Sequence, residues 1–119
     1  MSLRSAVEDL VDALAAAGIS AAADPGELNL PGVWVQLESV AHTLLSGGVT
    51  LRLRLYCIAG DAGTLAALDQ LSPLYQAVCG VVTPNTDTDT TTVGVQLPDN
   101  PTSPMPALQL SVDVLENLT

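Results

Sequence analysis

The sequence predicts an α+β fold, a mostly antiparallel four-stranded sheet with two helices on one face, in the order helix, strand, strand, helix, strand, strand. Three observations predict it. Two stretches repeat their apolar residues at steps of three and four, four stretches alternate apolar and polar residues, and turn signals separate the stretches. With 119 residues the chain fits a single domain over 1–119 with one core. At 48% hydrophobic and 13% charged residues it is apolar enough to fold.

The first helix is predicted over 3–17. Leu3, Val7, Leu10, Val11 and Leu14 form one stripe, and Arg4, Glu8, Asp9 and Asp12 lie on the other side. Ser2 suits its N-cap, Gly18 a left-handed stop, and Ile19 is expected to fold back onto it. A small-residue linker and the turn signal Asp24-Pro25-Gly26 follow. The first strand is read over 33–38, with Val33, Val35 and Leu37 alternating against Trp34, Gln36 and Glu38. The second, over 49–58, is the clearest: Val49, Leu51, Leu53, Leu55 and Cys57 face one way, and Thr50, Arg52, Arg54, Tyr56 and Ile58 the other. A wide loop through His42 and Ser46-Gly47-Gly48 makes the two a hairpin.

Asp61 offers a cap to the second helix, whose expected stripe is Leu65, Leu68, Leu71, Tyr75, Val78 and Val82. Pro73 implies either a kink or a restart with Ser72 as cap. The threonine- and aspartate-rich stretch 83–92 reads as an exposed loop leading into a third strand, 91–97, with Val93, Val95 and Leu97 inward. Pro98, Pro101, Pro104 and Pro106 remove four backbone donors, which reads as a stiff connection. Leu108, Leu110, Val112 and Val114 then alternate against Gln109, Ser111 and Asp113 in a fourth strand. The second sheet face thus carries Trp34, Arg52, Arg54, Tyr56, Gln109 and Asp113 and is expected to be polar.

Charge narrows the function classes. Thirteen acidic residues against three basic ones give a formal charge of −10; Arg4, Arg52 and Arg54 are the only cations, for there is no lysine. Nucleic-acid binders need clustered Lys and Arg to displace phosphate counterions, so neither DNA nor an anionic membrane is an expected partner. No apolar run is long enough to span a bilayer, and Glu8, Asp9 and Asp12 interrupt any secretory h-region, so a cytoplasmic location is expected. The lack of Lys and Phe, with abundant Ala, Leu, Val, Gly and Asp, resembles the codon bias of a GC-rich genome.

Catalytic parts are few. His42 is the only histidine and falls in a loop, the two cysteines match no zinc or haem spacing, and a phosphate loop would need a lysine. Cys57 and Cys79 are expected as buried thiols rather than a bridge. Asp87 and Asp89 could offer oxygen ligands, but the loop lacks the glycine and distant glutamate of an EF-hand and reads as solvated. No enzyme, cofactor or metal is expected. Arg52 and Arg54, two apart on a strand, project from one face. Two readings stand for them: ion pairs within the chain to Glu38 or Asp113, or contacts with acids on another copy. Trp34 is either packed under the 41–45 connection or an interface anchor.

Taken in order, the helix Val-Glu-Asp-Leu-Val-Asp-Ala-Leu, then Leu-Pro-Gly-Val-Trp-Val-Gln-Leu, then Leu-Arg-Leu-Arg-Leu-Tyr-Cys-Ile-Ala, then Leu-Ala-Ala-Leu-Asp-Gln-Leu-Ser-Pro-Leu and the closing Pro-Ala-Leu-Gln-Leu-Ser-Val-Asp-Val form a recognisable pattern. It resembles the tail terminator (tail completion) proteins of long-tailed bacteriophages, especially those infecting GC-rich actinobacteria. The likeness covers nearly the whole chain and rests on element order, size and phrasing. It implies a virion protein, assembled in host cytoplasm, of which six copies form a ring on the head-proximal end of the tail tube. Such a ring stops tube growth and docks on the head-completion proteins, and DNA passes through it unbound. The contact residues expected on this basis are Trp34, Arg52, Arg54, Tyr56, Asp87 and Asp89. A head-to-tail stopper or adaptor shares size and acidity, and a small ligand-binding domain is a further alternative.

Overall fold

A computed structural model of the chain describes residues 3–42, 48–60, 64–87, 89–97 and 100–117. The caps expected of Ser2 and Asp61, the connection 43–47 and Pro98 lie outside these residues, as do the side chains of His42 and Leu97. The fold is α+β, with two helices and a mixed sheet of five strands in the order β1-β2-β3-β5-β4. Its elements are α1 (Leu3–Ala16), β1 (Ala21–Ala22), a single 3-10 turn (Pro25–Glu27), β2 (Gly32–His42), β3 (Gly48–Ile58), α2 (Thr64–Cys79), β4 (Thr91–Leu97) and β5 (Asn100–Asn117). No helix among the described residues is long and apolar enough to cross a membrane.

α1 buries Ala6 and Leu14, half-buries Val7, Leu10 and Val11, and turns Arg4 and Glu8 outward as an ion pair one turn apart at 2.7 Å. Its end is a Schellman stop. Gly18 takes a positive φ of 84° and donates to Ala15 O, while Ile19 N–H reaches back to Leu14 O, both at 3.0 Å. Ile19 and Leu14 then share the core, as the sequence predicts. The small-residue linker that follows is a strand: Ala21 and Ala22 pair parallel to Val33 and Trp34. The sheet therefore has a fifth, parallel strand beside the four antiparallel ones that the sequence predicts. Two alanines are too short to carry an alternation, so no periodicity marks them.

β2 and β3 form the expected antiparallel hairpin. Leu51, Leu53, Leu55 and Cys57 are fully buried on one face, where α1 covers β1 and β2 and α2 covers β3 and β5. Burying each such leucine contributes about 1.5–3 kcal/mol. α2 runs unbroken through Pro73 rather than restarting at Ser72. Pro73 and Asp69, four residues before it, are both exposed, so the carbonyl that loses its helical donor faces water. The buried stripe of α2 is Ala67, Leu71 and Val78, with Leu74 and Tyr75 packed beside it; Leu65 and Leu68 are exposed, contrary to the predicted stripe. Cys57 is buried, and burial first, with Cys79 nearby second, pushes its thiol up to about 12; Cys79 is exposed, not buried as expected, and both are free.

β5 takes in Pro101, Pro104 and Pro106, which the sequence reads as a stiff connection. Pro106 shows how the strand accommodates one of them. Its carbonyl accepts from Ala59 N–H at 3.0 Å, so its donorless nitrogen also turns to the β3 side, where β3 has already ended at Ile58. The β4 ladder loses nothing, and Gly94 still pairs with Pro106.

Candidate functional site

The candidate site is the sheet face away from the helices. The alternation of β3 sends Arg52, Arg54 and Tyr56 there, and the ladders set their neighbours. Trp34, Tyr56 and Gln109 lie in one row, Gln36, Arg54 and Ser111 in the next, and Ser39, Arg52 and Asp113 in a third. A bulge between Leu37 and Ser39 makes Glu38 the extra residue of β2. An unbulged strand would set Glu38 against Arg52; the bulge sets Ser39 there, and Glu38 pairs with Arg54 instead.

Charged residues fill one end of the face. Arg54 donates to Glu38 and to Tyr56 Oη at 3.4 Å, and Ser111 Oγ donates to Glu38 Oε2 at 3.3 Å. Arg52 Nε donates to Asp113 Oδ1 at 3.0 Å, and its Nη2 reaches Asp87 Oδ2 at 2.7 Å. Both guanidinium groups are pushed above their ordinary pKa by these partners. Of the two readings of the arginines, the intrachain one is realised, and for both expected acids. Asp87 comes from the threonine- and aspartate-rich segment, which is docked onto the sheet rather than solvated along its whole length. Asn85 docks it: its N–H donates to Ser111 O at 2.8 Å, its Nδ2 to Asp113 Oδ1 at 2.9 Å, and its Oδ1 accepts Asp113 N–H at 3.1 Å. Further on, the Tyr75 and Thr90 hydroxyls meet at 3.2 Å. Asp89 is exposed and forms no ion pair with a described residue.

Apolar residues fill the other end, where the sequence predicts a polar surface. Ile58, Val95, Met105 and Ala107 are buried in a second core, with Leu28, Leu30, Trp34, Tyr56 and Val93 packed on it. Val93 and Val95 therefore point away from the helices, since Val93 pairs with Ala107 and Val95 with Met105. Trp34 is held within the chain. It stacks on Tyr56 with centroids 5.0 Å apart at 24°, and its Nε1 donates to Ala23 O at 3.1 Å. Segment 23–30 covers it from one side, and the 41–45 connection expected there lies largely outside the described residues. Ser111 follows from the alternation of β5, whereas Asn85, Leu28 and Met105 carry no sequence signal for this face beyond the turn preference of asparagine.

Asp113 lies below the usual carboxylate range, chiefly because Arg52 donates to it and secondly because Asn85 does, with burial opposing. A depressed folded pKa means that the stabilisation is present above the unfolded value of about 4 and is lost as pH falls through the folded value. Asn85→Ala should cost about 1–2 kcal/mol at pH 7, because Asp113 N–H loses its acceptor and the Asp113 carboxylate loses the Nδ2 donor, the second of these depending on the carboxylate charge. At a pH below the Asp113 transition the difference between variant and wild type should shrink, as read by urea denaturation at both pH values; an unchanged difference would show that Asn85 acts independently of the Asp113 charge.

On the helix side of the sheet edge, α1 and segment 21–27 border a groove of about 710 Å³ lined by Glu8, Asp12, Asp24 and Glu27 and by Arg4, which pairs with Glu8, so that acids outnumber the single cation. Among the described residues no group of three or more His, Cys, Asp or Glu is placed to hold a metal ion. Comparison with known protein families, with curated proteins and with solved structures finds no match to this chain.

Proposed function

We propose that the chain is a structural virion protein of the tail-terminator kind it resembles. Copies of it, six in that family, close into a ring on the head-proximal end of a phage tail tube. The ring ends tube polymerisation, joins the tail to a head-completion protein of the neck, and lets DNA pass unbound. The observation that carries this reading is the distribution of charge. Arg4, Arg52 and Arg54 are each held by a carboxylate of the same chain, while Glu8, Asp9, Asp12, Asp24, Glu27, Asp69 and Asp89 stay exposed. The surface available to DNA is negative or neutral, which a channel for DNA requires and a DNA-binding protein cannot use. The acidic groove is the surface assigned to the lumen.

The face carrying Trp34, Tyr56 and the docked Asp87 segment is assigned to contacts with neighbouring subunits or the tube. The ion pairs of Arg52 and Arg54 support that role by holding the face in one conformation before assembly. Electron microscopy of particles made without this chain tests the reading. Overlong or unjoined tails, restored to normal by the purified protein, are expected. Heads that leak DNA would mark a stopper instead, and tails of normal length joined to heads would sink both.

A further inference from the structure

β4 is the long sheet edge that the fold leaves open among the described residues. On the opposite side, Val33 N–H donates to Ser20 O at 2.8 Å, Val33 and Val35 are fully covered, and the Glu38 bulge breaks the rest of the β2 edge. Where β5 runs beyond β4, Asn85 takes its edge groups. Among the described residues no strand pairs with the outer side of β4. The bond from Ala59 to Pro106 O sets the parity: even-numbered β5 residues turn their main-chain groups to the β3 side, and Met105, Ala107 and Gln109 turn theirs to β4. These meet Val95, Val93 and Thr91, so the N–H and C=O of Thr92 and Gly94 point outward, and both residues are exposed. Natural edges are usually protected by charge or proline. The run Thr91-Thr92-Val93-Gly94-Val95 has neither.

We propose that a second copy of this chain pairs with that edge, β4 against β4, antiparallel about a two-fold axis at Val93. The inference goes beyond the ring reading and concerns the free protein. Three features select a second copy as occupant. On the other side β1 covers the start of β2 and the bulge at Glu38 interrupts the remainder, so the regular open edge of one copy is matched by the same edge of another, which makes the contact isologous. The chain carries a charge of −10 and spends its three arginines internally, so like copies can approach only where the surface is uncharged, as this run is. Centring on Val93 places Thr92 opposite Gly94 of the partner subunit and sends the two Asp89 side chains to opposite ends of the ladder. Val93, half-buried at the margin of the second core, then meets its own counterpart and joins the two apolar clusters.

Light scattering on the full chain, with two variants, tests this. The wild type should weigh as a dimer. Val93→Cys in a Cys79→Ser background should form a reducible dimer on oxidation, because the non-hydrogen-bonded pair at the axis brings its Cβ atoms close. Thr92→Pro should halve the mass with an unchanged far-ultraviolet circular dichroism spectrum, since that N–H serves no bond to β5. A monomeric wild type across a concentration series, or a dimer that neither cross-links at 93 nor yields to Thr92→Pro, would overturn the proposal. A hexamer without the cross-link would overturn it and leave the ring reading standing. A cross-linked dimer together with normal tails in the deletion phage would do the reverse.

Discussion

Trp34→Ala is expected to lower the free energy of unfolding by about 3 kcal/mol, the low end of the range for removing a packed aromatic residue, because the indole is only partly buried. The change removes three things at once: the stack on Tyr56, the bond from Nε1 to Ala23 O, and the packing of the indole on the second core that Leu28 and Leu30 also cover. An aromatic stack alone contributes about 0.5–1.5 kcal/mol. The loss should be read by urea denaturation followed by circular dichroism, since Trp34 is the only tryptophan and its fluorescence disappears with it. A cost under about 1 kcal/mol, together with loss of self-association, would make Trp34 an interface anchor rather than a core residue.

Gly32→Ala is expected to cost about 3 kcal/mol, near the upper end for forcing an atom into a packed site. The reason is space rather than conformational freedom. A Cβ at position 32 would run into the carbonyl oxygen of Asn29, come within 2.9 Å of Leu28 Cδ1 and stand 3.0 Å from Ser20 O. Two of those atoms are backbone, and they belong to the segments that close the β2 edge and cover Trp34. Relief therefore requires both segments to shift. Hydrogen exchange at the Val33 amide, which donates to Ser20 O, should speed up in this variant more than exchange at the Leu53 amide in the centre of the sheet. Equal stability of variant and wild type would show that the close approach is dispensable.

These two residues mark where sequence reasoning holds and where it stops. Nothing in the sequence marks Gly32 beyond its place just before the first strand; only the structure shows that it is needed because Ser20 and Asn29 come against it. Trp34 is placed on the correct face by alternation, but its cover comes from segment 23–30, which has no periodicity to read. The arginine pairs were half legible. Glu38 and Asp113 follow from the cross-strand neighbourhood, whereas Asp87 and Asn85 depend on how the segment after α2 returns along β5. The exposed Leu65 and Leu68 show a helix whose apolar residues outnumber the positions its sheet can cover.

By itself the sequence determined the α+β class, the main helices and strands in their order, the core face of β3, the stop at Gly18 and the excess of negative charge. Each of these is a property of one segment or of composition: a period, a cap or a sum. Tertiary structure decided that β5 sits between β3 and β4, that β1 adds a parallel edge, that Val93 and Val95 build a second core, and that the arginines are held within the chain. Those outcomes depend on register between segments far apart in sequence. A strand's alternation says which residues share a face, but only its pairing partner says which face that is.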